Sequence, residues 1–62
     1  MSWIIVNKDE EHGTVYLGIV TETTTWPIIG WANRDGAKRF ETKADAKTVQ
    51  DKYNLGGSII PA

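Results

Sequence analysis

Sixty-two residues, with seven basic and eight acidic side chains, a net charge of −1 and no cysteine, describe one small domain that has no disulfide or thiolate metal site to brace it. One histidine is too few for a zinc centre of the usual nitrogen and sulfur ligands, and the balanced charge lacks both the basic footprint of a nucleic-acid binder and the acidic excess of a DNA mimic. A chain this short buries only about 60% of the surface it exposes when unfolded, so its packing must be very efficient or shared with a second subunit.

No apolar run approaches the ~18 residues of a membrane span. The opening Met-Ser-Trp-Ile-Ile-Val-Asn is apolar only briefly and carries no basic leader, so it does not read as a signal peptide. With cysteine absent, the expected location is the cytoplasm, the host's if the protein is viral.

Trp3–Asn7, WIIVN, is β-branched and aromatic and predicts a strand. Lys8–Gly13 is polar and ends in glycine, as a hairpin tip does. Thr14–Thr21, TVYLGIVT, predicts the second strand. Strict alternation puts Val15, Leu17 and Ile19 on one face of the hairpin and Tyr16 and Val20 on the other. In the first strand Ile4 and Val6 share a face, opposite Trp3 and Ile5. Neither face is polar, so one helix would leave an apolar face to be covered by something else.

Glu22–Gly36 is the least regular section. Trp26 is held extended by Pro27. Ile28, Ile29 and Trp31 flank Gly30, a position suited to a bulge, and Asn33-Arg34-Asp35-Gly36 is a turn. The section reads as a long loop with room for a short strand at Ile28–Ala32. Lys38–Glu41 predicts a third strand with Phe40 directed into the core.

Ala37–Leu55 organises the rest, because it is the only segment with the length and composition of a helix. Thr42 is the expected N-cap, with Asp45 three residues on. Ala46, Val49 and Tyr53 form a narrow apolar stripe with Ala44 and Gln50 on its margins. Lys47 and Asp51 are an i,i+4 ion pair. Asn54 suits the left-handed residue that ends a helix, and Leu55 the contact beyond it. Gly56-Gly57 reverses the chain into a last strand, Ser58–Ile60, stopped by Pro61. The expected architecture is a single α+β domain over residues 1–62. It is a small, mostly antiparallel sheet, built from an N-terminal hairpin and short strands, with one helix across one face.

The step Ala37-Lys38-Arg39-Phe40-Glu41-Thr42-Lys43-Ala44-Asp45-Ala46, following the N-terminal strand and the YLGIVTET run, resembles a pattern in small phage- and prophage-encoded proteins of unassigned role. It lies in the second half of the chain and encodes a strand feeding a capped helix. The resemblance implies a viral or prophage origin and a role through binding a host factor. It transfers no catalytic residue.

His12 follows Asp9-Glu10-Glu11, a group able to hold a divalent cation, but a solvated hairpin tip is the favoured reading. Its acidic neighbours are expected to favour the protonated imidazole. Ser2, Ser58 and the threonines have one histidine among them as base, and Gly56-Gly57 follows a helix instead of opening one, unlike a phosphate loop. No catalytic set, metal site or cofactor motif is therefore assigned, and the protein is read as not an enzyme.

Three tryptophans are many for this length. Core filling is the favoured role for any one of them, but Trp26 and Trp31 lie on the irregular section, where tryptophan also serves as a contact anchor. The expected function is a small non-enzymatic binding protein, a phage accessory, host-takeover or anti-defence factor that docks on a host protein through Trp26, Ile28, Trp31, Arg34 and Tyr16. The alternative is single-stranded nucleic-acid binding by sheet or loop aromatics with Arg34, Lys38 and Arg39 on phosphates. The interleaved acids Asp35, Glu41 and Asp45 weigh against it. The second apolar face is expected to be covered by a copy of the chain in a symmetric homodimer, or else by the long loop folding back.

Overall fold

The computed structural model describes residues 2–21 and 28–62. Among these residues the chain forms β1 (Trp3–Asp9), β2 (Gly13–Thr21), β3 (Ile28–Ala32), a 3-10 turn at Arg34–Gly36, α1 (Lys43–Lys52) and β4 (Ser58–Pro61). The four strands make one antiparallel sheet in the order β3-β2-β1-β4. This is the expected α+β architecture, with β3 as a full strand where a loop was the main expectation.

The hairpin closes tightly. Asp9 pairs with Gly13, and Gly13 takes φ 75°, a conformation that glycine enters without the Cβ penalty. The strands therefore run two residues further toward the tip than composition suggests on the β1 side, and one on the β2 side.

Beyond the Val6–Tyr16 pair, β1 and β2 separate, and the chain after the 3-10 turn enters the fork between them. The Lys38 N–H donates to the Leu17 carbonyl at 2.7 Å, and Trp3 and Phe40 exchange two backbone bonds of 2.8 Å each. The expected third strand, Lys38–Glu41, is thus a single bridge at Phe40. The reason is spatial, since the wedge meets the Leu17 carbonyl at the vertex and Trp3 on one arm and has no room to ladder with either. Phe40 does point inward as expected.

Ile5, Leu17, Phe40 and Ala46 form the buried cluster, with Trp3, Val20, Ile29, Val49, Leu55 and Ile59 packed around it. Burying a large aliphatic or aromatic side chain stabilises by roughly 1.5–3 kcal/mol, so Ile5, Leu17 and Phe40 must carry much of a small domain, with Ala46 letting the helix approach them. The cluster lies on the face covered by α1, and Ile4, on the other face, is also out of contact with solvent.

The helix begins and ends as its residues demand. Thr42 Oγ1 accepts from the Asp45 N–H at 3.1 Å. At the other end Leu55 N–H donates to Gln50 O and Asn54 N–H to Asp51 O, with Asn54 at φ 53°. That is the paired bonding of a Schellman cap. Lys47 and Asp51 are 3.3 Å apart on the exposed side. Gln50, expected on the margin, is buried, because its Nε2 donates to the carbonyls of Gly56 and Gly57 at 2.8 and 3.2 Å. Ala44, its supposed counterpart, is exposed. Pro61 joins β4 opposite Trp3 instead of stopping it.

Candidate functional site

Paired strand residues share a face, so the registers assign every side chain of the sheet. Ile5, Leu17, Val20, Ile29 and Ile59 lie on the helix face. Tyr16 pairs with Val6 and Ala32, and Ile4 with Ile60, on the open face.

Alternation holds along β2 only as far as Leu17. Leu17 stands opposite Trp31 and Ile19 opposite Gly30, leaving Gly18 as an extra residue. This bulge moves Ile19 to the open face and turns Val20 inward, the reverse of the expected assignment. It also sits at Gly18, on the strand facing Gly30, the glycine expected to hold it. Gly18 is suited to it. A Cβ there would meet Ala32 Cβ at 3.1 Å and the Gly36 carbonyl oxygen at 3.2 Å, so the 3-10 turn lies against the open face at this point.

The result is an exposed aliphatic pair. Ile19 is 60% exposed and Ile28 57%. Ile28 stands opposite Thr21, one diagonal step from Ile19 on the same face. Gly30, lying between them, contributes no side chain to cover either. Strict alternation groups Ile19 with Leu17, which is buried; the glycine inside an otherwise apolar strand is the signal that could have separated them.

The five expected contact residues do not form one surface. Ile28 is exposed on the open face and Tyr16 half-buried on it, while Arg34 is exposed at the start of the 3-10 turn. Trp31 stands opposite Leu17 and therefore lies on the helix face, 40% exposed. The helix lies chiefly over β1 and β4 and leaves Trp31 uncovered at the far side. Trp26 lies outside the described residues. Trp3 is half-buried against the core, with Lys43 Nζ 5.7 Å from its ring centroid.

At the hairpin tip, Asp9 Oδ1 accepts from the Glu11 N–H at 2.9 Å and Oδ2 lies 3.0 Å from His12 Nδ1. The Glu11 N–H, and then His12, hold the exposed Asp9 carboxyl below its ordinary 3.8. Both oxygens are engaged by the tip's own backbone and imidazole, which makes this a self-closed turn. Among the described residues no three His, Asp or Glu side chains gather as a metal site. No helix among them is long and apolar enough to cross a membrane.

Arg34, Lys38 and Arg39 are all exposed, and Lys38 Nζ lies 5.7 Å from the Phe40 ring centroid. The aromatics do not gather on the open face. Trp3, Phe40 and Trp31 belong to the helix face, and among the described sheet residues Tyr16 is the aromatic on the open one.

Comparison with known proteins finds no matching family model, no matching curated protein and no matching solved structure.

Proposed function

We propose that this chain is a small non-enzymatic binding protein that docks on a protein of its host cell through the open face of its sheet. The supporting observation is the adjacent, more than half-exposed pair Ile19 and Ile28 on a sheet face that carries no helix. Two large aliphatics held rigidly side by side on paired strands keep an apolar surface in water, and such surfaces mark contact sites more often than chance. Tyr16 lies on the same face and Arg34 opens the 3-10 turn laid against it, residue types common at protein interfaces. A viral or prophage origin, which the strand-to-helix step suggests, fits a host factor as the partner.

The competing reading, stacking of single-stranded nucleic acid, needs several aromatics along one open groove. The separation of Trp31 from Tyr16 by the sheet itself favours the protein partner.

The test is capture from host lysate on immobilised wild-type protein and on an Ile19→Lys/Ile28→Lys double variant of confirmed fold. A stoichiometric protein held by the wild type and lost by the double variant is the expected result. Equal capture by both, or recovery of nucleic acid alone, would remove this reading.

A further inference from the structure

The sheet has two edges, and they are not equally guarded. Trp3 gives both its backbone groups to Phe40, so its pairing with Pro61 is of the non-hydrogen-bonded kind and Pro61 turns its backbone nitrogen outward. Ala62 N–H donating inward to Ser2 O fits the same phase. The outward positions of β4 are therefore Ile59 and Pro61, and proline has no N–H to offer. An incoming strand finds little to pair with there.

β3 has no such protection. Its five residues, Ile28–Ala32, contain neither a charge nor a proline. Leu17 spends its carbonyl on Lys38, on the β1 side. Tyr16 therefore faces β3, and Ala32, Gly30 and Ile28 bond inward to β2. Alternation leaves the N–H and C=O of Ile29 and Trp31 pointing outward, with no backbone partner among the described residues. Both faces at this edge are also thinly covered, with Trp31 exposed on one and Ile28 on the other.

We infer that β3 pairs with β3 of a second copy of this chain, antiparallel about a two-fold axis at Gly30. The occupant is a second copy because the strand is complementary to itself in that register. Ile29 falls opposite Trp31 of the second copy, and Trp31 opposite its Ile29. Those are the residues whose backbone groups face outward, so four hydrogen bonds close with no donor left over. On the helix face each of these pairs sets a β-branched side chain against an aromatic ring, a favourable cross-strand combination. At the axis Gly30 meets Gly30, a non-hydrogen-bonded pair with Cα atoms about 4.5 Å apart. On the open face the Ile19 and Ile28 pairs of the two copies come onto one continuous sheet. This pairing does not depend on the docking reading above, since it uses the edge and the helix face.

The absence of cysteine makes a register-specific test available. Gly30 is the one residue of β3 that faces itself across the axis. Its φ is not positive, and a Cβ there would lie 3.7 Å from Ile19 Cβ, an ordinary contact. The Cα separation expected at the axis is within the roughly 4.4–6.8 Å range that a disulfide spans. Gly30→Cys is therefore expected to form a disulfide dimer about tenfold or more faster than Ser58→Cys on the other edge, because pairing raises the effective thiol concentration. Wild-type protein should show a dimer mass by light scattering in the high micromolar range. Trp31→Lys should shift to monomer while keeping its far-ultraviolet circular dichroism. A wild-type monomer throughout that range, with equal cross-linking of the two cysteine variants, overturns the proposal. So does a dimer that cross-links faster through Ser58→Cys.

Discussion

Gly56 and Gly57 have nearly the same positive φ, 71° and 79°, yet replacing each with alanine should have very different consequences. A left-handed non-glycine residue costs about 1–2 kcal/mol, offset by roughly 0.4–1 kcal/mol because alanine narrows the unfolded ensemble. For Gly56 that is nearly the whole account, since the closest heavy atom to a new Cβ is Asn7 Nδ2 at 3.9 Å. Gly56→Ala should destabilise by about 1 kcal/mol or less. At Gly57 a Cβ would overlap the Val6 carbonyl oxygen and press on Asn7 Cγ at 3.2 Å. Relief requires backing the turn away from β1. That movement strains the Val6–Ser58 pairing, the two Gln50 bonds and the Asn7 Nδ2–Leu55 O bond of 2.9 Å. With a net value of about 0.5–1.5 kcal/mol for each hydrogen bond weakened, Gly57→Ala should cost about 3–4 kcal/mol. A domain of this size has little more than that in total, so the variant should be largely unfolded at room temperature. Gly56→Ala should lose no more than about 4–8 °C in Tm. Urea and thermal unfolding followed by circular dichroism measure both. Equal losses at the two positions would refute the reasoning, because backbone conformation alone, and not the approach to Val6, would then govern the turn.

Gln50→Ala should destabilise by about 1–3 kcal/mol in the same assays, since it removes the buried side chain that satisfies two turn carbonyls. The two strand glycines should also separate. Gly18→Ala, forced against Ala32 and the Gly36 carbonyl, should cost about 1–3 kcal/mol, whereas Gly30→Ala should be tolerated within about 0.5 kcal/mol. Asp9 gives a pH signature. Its folded carboxyl titrates below its ordinary 3.8, so its contribution is present above that value and is lost as pH falls through the lower folded one. The Tm advantage of wild type over Asp9→Asn should therefore be small at neutral pH and vanish in acid; an advantage that grows on acidification would contradict the Glu11 and His12 contacts.

Local signals were legible wherever a short stretch decides its own conformation. The hairpin, the Thr42 cap, the Asn54–Leu55 ending and the Lys47–Asp51 pair each depend on residues within a few positions of one another, and each is found as the residues imply. Those features that depend on distant backbone were not readable. Gln50 looks marginal on a helix drawn alone, and becomes a buried anchor only because Gly56 and Gly57 return beneath it. Lys38–Glu41 has strand composition, but whether it ladders depends on how far β1 and β2 have already parted. Of the candidate contact residues, Ile28 and Trp31 are exposed on opposite faces of the sheet, a placement that depends on strand register and not on any local pattern.

The amino-acid sequence by itself determined the class of fold, the single helix with both its ends, and the shortage of cover for a sheet apolar on both sides. Tertiary structure alone decided which side chains that shortage leaves in water. One unpaired residue at Gly18 exchanges Ile19 for Val20, because side chains alternate with a period of two and a one-residue insertion reverses every face beyond it. The insertion is held there by the Gly36 carbonyl and Ala32 crowding Gly18, and by Lys38 taking the Leu17 carbonyl. Those contacts join residues 14 to 21 positions apart, and no local pattern in β2 encodes them.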